Sequence, residues 1–136
     1  MSQRRQPEIS RLRAQHPELA DALATVPEHR LGGVLQRLCD ESISATGLTI
    51  SDDERSAGSL TRLVDRLDEE AFDINDAVDE GLRTHDEYSR AFARARAANA
   101  LLYLANGVSE EVVYEALAAL HADKGRVREL ITAANP

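Results

Sequence analysis

Tryptophan is absent from these 136 residues, and two Phe and three Tyr are the whole aromatic complement. With so few rings the core has to be built from Leu, Val, Ile and Ala, which favours packed helices over a β-sheet. Cysteine occurs once, as Cys39, so no internal disulfide can form and an oxidising compartment is not indicated. A reducing cytoplasm is the expected setting. No apolar run approaches the roughly 18 residues of a membrane span, and no apolar signal region follows Arg4 and Arg5, so neither membrane insertion nor secretion is expected. Lys124 is the only lysine, and Asp and Glu outnumber Lys and Arg by 24 to 16, a net charge of -8. That balance lacks the clustered cations that capture phosphates, so direct nucleic-acid binding is not expected.

What is present is the composition of a folded protein. Hydrophobic residues make up 43% and charged residues 29%, enough apolar material to exclude wholesale disorder. The length suits one all-α domain over residues 1–136, with 1–6 as a flexible lead, and it needs no metal to hold a core together.

Punctuation divides the chain into six or seven helices of an irregular bundle. Pro7 and Glu8 open a short helix carrying Ile9 and Leu12, which Pro17 stops near His16. Leu19, Leu23 and Val26 form a second before Pro27, and Leu31, Val34, Leu35, Leu38, Cys39 and Ile43 a third that ends at Gly47. Ser51 and Glu54 form a capping box, after which a helix either runs through Gly58 or restarts at Ser59. A helix from His85 to Ala105 carries Tyr88, Phe92, Ala95, Asn99 and Leu102 on one face. Leu101 and Leu104 lie on another side among alanines, which predicts a central helix with neighbours on two sides. Asn106-Gly107 stops it, Ser109 caps the next helix, and a last one starts near Asp123.

The segment from Leu60 to Leu82 has two faces of opposite chemistry. Leu60, Leu63, Val64, Leu67, Ala71, Ile74, Val78 and Leu82 share one side, while Asp65, Glu69, Asp73, Asp76 and Glu80 share the other. Residues 51 to 87 hold thirteen Asp or Glu against four Arg, so the acidity of the chain belongs to this one region. Phe72 sits off the apolar face at the edge of the acidic stripe, as a hydrophobic anchor within a charged rim would. Arg62 and Arg66 offer local pairing, yet the imbalance exceeds what local pairing needs.

Catalytic and metal-binding patterns are thin. Arg11 and His16 have the spacing of an Arg-x4-His element and resemble that of the all-helical HEPN ribonucleases. The resemblance implies acid-base chemistry on an RNA phosphate, with Arg11 and His16 in the catalytic roles. The element departs from the family pattern in lying near the N-terminus, in having Leu12 where a polar residue usually follows the Arg, and in ending at Pro17. The stretches Asp86 to Arg96 and Gly107 to Leu117 resemble phrases in RecX-type recombinase regulators, but both also read as any capped amphipathic helix, and no membership follows. The four histidines are dispersed, and a calcium-loop start at Asp73 and Asn75 fails at Ala77 and Val78. No catalytic, cofactor or metal residues are assigned. Asn99, on an apolar face, is expected to fix helix register, and Tyr103 and Tyr114 to pack half-buried.

The sequence thus points to a small acidic helical protein that works by binding. The sharpest version is an inhibitor of the immunity-protein or antitoxin kind, which meets a basic protein partner with Asp65, Glu69, Phe72, Asp73, Asp76 and Glu80. A regulatory or assembly adaptor docking through apolar helix faces, in one version a homodimer, is the alternative, and a HEPN-like ribonuclease the enzymatic one.

Overall fold

Ser10 turns the chain into its first described helix, its side chain accepting a hydrogen bond from the Arg13 amide. The computed structural model describes residues 10–133. Helix α1 covers Arg11–Gln15, α2 Pro17–Ala24, α3 Glu28–Thr46, α4 Ala57–Asp79, α5 His85–Ala105, α6 Ser109–Ala119 and α7 Lys124–Thr132. A single 3-10 turn, Asp52–Arg55, precedes α4, and no strand occurs among the described residues. The fold is all-α. The expected opening at Pro7 and Glu8, with Ile9, lies outside the described residues, as does the lead 1–6.

Most boundaries follow from local chemistry. Pro17 occupies the first turn of α2, where its missing N–H costs nothing. Gly47 closes α3 in the left-handed conformation at φ 69°, a geometry that a residue with a Cβ adopts only at a cost. The Ser51–Glu54 capping box forms, but it caps only the 3-10 turn. Ser56, extended at ψ 150°, then starts α4 afresh, accepting from the Ser59 amide, and the helix passes through Gly58 and Ser59 without a break. Thr84 and Glu87 form a second capping box at the start of α5.

Two ends differ from expectation. Helix α4 stops at Asp79 because Gly81 turns left-handed at φ 77° and the Leu82 amide bonds back to the Ala77 carbonyl. Leu82 therefore leaves the helix and stands 74% exposed instead of completing the apolar face. Val108 caps α6, and Ser109 is its first helical residue.

Alanine decides the packing. Six of the seven buried residues of α5 are Ala, spread around its circumference, so α3, α4 and α6 can all pack against it. The hydrophobic core draws on every α-helix, from Leu12 in α1 to Ile131 in α7. Tyr103 and Tyr114 are half-buried against this core, and Asn99 is likewise half-buried. Among the described residues no helix is long and apolar enough to cross a membrane.

Candidate functional site

Helix α4 presents its charged back away from the core. Leu60, Leu63, Val64, Leu67 and Ala71 are buried, Ile74 and Val78 are half-buried, and Asp65, Glu69, Asp73, Asp76 and Glu80 are all exposed. At 100° per residue the five carboxylates occupy an arc of about 80° along the helix. None of them makes an ion pair among the described residues.

The carboxylates on either side of that arc behave differently. On one flank Asp68 accepts from Arg96 Nη2 at 2.5 Å, and on the other Glu70 lies 3.8 Å from Arg94. Glu69 and Asp73 border a wide groove of about 730 Å³ into which Arg66, Arg83, Arg90 and Arg94 also face. Three of the four guanidinium groups engage other partners: Arg66 lies 3.7 Å from Glu54, Arg83 bonds Glu87 at 2.6 Å, and Arg94 meets Glu70, which leaves Arg90 facing the groove. The Glu87 carboxyl is held below its usual range by the Arg83 hydrogen bond first and by the Thr84 amide second. The outward stripe remains uncovered.

Phe72 belongs to the opposite flank and is 71% exposed. It borders a notch of about 330 Å³ between α4 and α5, shared with Tyr88 and Phe92 and edged by Asp68, Asn75 and Arg96. The Tyr88 and Phe92 rings lie 6.0 Å apart, and the Arg96 guanidinium sits 5.4 Å from the Phe92 ring centre. The six residues singled out from sequence therefore divide: five carboxylates form a ridge, and Phe72 looks into an aromatic notch beside it. The sequence pattern places Tyr88 and Phe92 on one face of α5 with Ala95, Asn99 and Leu102. The half-open position of the two rings follows from the notch being lined by α4 and α5 alone, with no residue of a third helix around it, which no single-helix periodicity encodes.

A second cluster of charge lies deeper. Glu115 of α6 is fully buried and accepts from Arg11 Nη2 at 2.8 Å and from Arg96 Nη1 at 3.0 Å. Arg11 also donates to Glu111 and lies 4.3 Å from the Tyr114 ring centre. Burial opposes the charge on Arg11, and the hydrogen bonds to Glu111 and Glu115 outweigh it, raising its pKa above the ordinary value. Ser10 donates to Glu110. The chain Asp68–Arg96–Glu115–Arg11–Glu111 thus joins four helices through alternating charges. His16 caps α2, its Nδ1 buried without a partner, and no hydrogen bond or ring contact joins it to Arg11 among the described residues. No group of three or more metal-ligating side chains occurs there either.

No family model matches the chain, and neither characterised proteins nor solved structures give a match. Side-chain chemistry alone carries the functional argument.

Proposed function

We propose that this chain is a binding protein whose α4 ridge docks on a basic protein surface, with inhibition of that partner as the most specific form of the role. One observation carries the reading: Asp65, Glu69, Asp73, Asp76 and Glu80 stand exposed and unpaired although neighbouring Asp68, Glu70 and Glu54 all find arginines. Charges that served only solubility would be mixed in sign and dispersed. From Asp65 to Glu80 these are of one sign and in line, and Arg62, a turn ahead of Asp65, is the cation on the same arc. Asp76, Asp79 and Glu80 also occupy the C-terminal end of α4, where the helix dipole disfavours anions and no basic residue compensates. Such a field speeds encounter with a cationic surface and selects against anionic ones.

The test is capture from native cell extract with two baits, the wild-type chain and Asp73→Asn/Asp76→Asn, at low and at high salt. A basic protein retained by the wild type, lost with the variant and released by salt supports the reading. Identical captures with both baits, insensitive to salt, overturn it.

A further inference from the structure

None of the five aromatic rings of this chain lies in its core, and three of them, Phe72, Tyr88 and Phe92, meet at one surface notch. The buried apolar set consists of Leu, Val, Ile, Ala and Cys39. Both phenylalanines are thus left outside, Phe72 at 71% and Phe92 at 39% exposure. A buried Phe contributes on the order of 2 kcal/mol, so leaving two of them open forgoes a gain that other apolar positions of this fold collect. An exposed aromatic cluster beside a polar rim is the usual composition of an interface anchor.

The occupant is set by what the notch already holds and by what borders it. An aromatic pocket with acidic neighbours would ordinarily take a cation over its rings. Here that position is filled, because Arg96 lies over Phe92 and is tied to Asp68 and Glu115. The vacant space between Phe72 and Tyr88 is therefore left for an apolar group. Immediately beside it runs the unpaired carboxylate ridge, whose charge calls for cations. From Asp65 to Glu80 that ridge extends about 22 Å, with carboxylates repeating about every 6 Å. A helix laid alongside repeats its own side chains at the same interval, so its basic residues stay in register along the whole ridge.

We infer that the notch and the ridge together receive a basic amphipathic helix of a partner protein, one apolar side chain entering between Phe72, Tyr88 and Phe92 while Lys or Arg residues align with Asp65, Glu69, Asp73, Asp76 and Glu80. This rests on the docking role proposed for the ridge and adds the anchor and the class of partner. Phe72 and Phe92 supply the affinity by excluding water, and the carboxylates supply the rate and the register. The wide groove on the other flank mixes Arg66, Arg83, Arg90 and Arg94 with its carboxylates, so it offers such a helix no continuous anionic face.

The probe is a synthetic amphipathic peptide about 16 residues long, to match the roughly 22 Å ridge, with a central Leu and Lys at alternating three- and four-residue intervals along one face. Its controls replace the Leu by Ala or each Lys by Glu, and binding is followed by calorimetry and by amide shifts in NMR. The wild-type chain binds the parent peptide with shifts centred on α4 and α5, the Ala control binds roughly thirtyfold more weakly, and the Glu control does not bind. Phe72→Ala and Phe92→Ala weaken binding by roughly thirtyfold, as loss of an anchor does. Because both rings are already open to solvent, circular dichroism shows these variants folded, and the loss is one of affinity. If Asp73→Asn/Asp76→Asn weakens binding but the Phe variants do not, the ridge keeps its role and the notch proposal fails. If neither set matters, or the parent peptide does not bind, both fail. A wild-type chain that dimerises in sedimentation and loses this on Phe72→Ala overturns the partner helix in favour of a second copy.

Discussion

Glu115 Oε1, sealed within α6, accepts a 2.8 Å hydrogen bond from Arg11, a residue 104 positions earlier. Its other oxygen accepts from Arg96 of α5, so one carboxylate ties the start of the described chain to the centre of the bundle. Removing one partner of a buried ion pair typically costs 3–5 kcal/mol, and the partial exposure of Arg11 and Arg96 discounts this. Glu115→Gln is expected to lower unfolding free energy by about 2–3 kcal/mol in urea titration. Asp21→Asn, which removes one of the two carboxylate partners of the exposed Arg13, is expected to stay within about 0.5 kcal/mol of wild type.

Cys39 is buried, and burial pushes its thiol up to about 12, with the charge of Asp40 adding to the effect. The folded chain should therefore resist alkylation by iodoacetamide at pH 8 and react only after unfolding. A raised folded pKa means that the folded state keeps a proton the unfolded chain releases. Stability from this group is complete below pH 9 and is lost as pH rises from 9 towards 12, by about 1.4 kcal/mol per unit. Cys39→Ala removes that share of the alkaline slope, measured as the change in urea midpoint with pH.

The α6–α7 turn carries backbone strain. His121 and Ala122 are consecutive left-handed residues at φ 56° and 61°, and neither is glycine. Relief of the Cβ clash is worth about 1–2 kcal/mol, and the greater freedom of an unfolded glycine takes back part of it. Ala122→Gly should then raise stability by a few tenths to about 1 kcal/mol. Ala116→Gly, at a buried position inside α6, should lower it by about 1 kcal/mol or more in the same thermal melt.

Helix α4 was the most legible element because its apolar positions recur at helical spacing with charge opposite them, and nothing else in the chain competes with that reading. Helix α5 was legible in extent through its stops at both ends, and its low contrast between faces announced a central place. The same low contrast hid the notch. With alanine on every side, the arc carrying Tyr88 and Phe92 looks as coverable as the others, and only the tertiary arrangement, in which α4 and α5 alone line the notch, decides that it stays half open. Leu82 was misplaced because periodicity continues past Gly81 in the sequence while the backbone does not. The Arg11–Glu115–Arg96 link joins residues 104 and 19 positions apart on different helices, at separations where local pattern carries no information. Arg11, singled out for its spacing to His16, is engaged by carboxylates of α6 instead.

The ridge makes one more prediction, in which stability and binding move in opposite directions. Asp65–Glu69, Glu69–Asp73 and Asp76–Glu80 are like-charged pairs four residues apart, and Asp73–Asp76 is one at three. Each such pair destabilises a helix by about 0.2–0.5 kcal/mol, and those near the C-terminus of α4 add an unfavourable dipole interaction. Neutralising Glu69, Asp73 and Asp76 together as Gln, Asn and Asn should raise thermal stability, by about 1 kcal/mol at low ionic strength. The gain should shrink in high salt, where the repulsion is already screened. Ordinary surface residues show no such conflict, whereas carboxylates retained for an encounter would cost folding what they supply to binding. A variant that melts higher and no longer binds a basic partner identifies the ridge as a working surface. A variant that melts lower shows that the carboxylates stabilise α4, and removes the stability argument for a docking role.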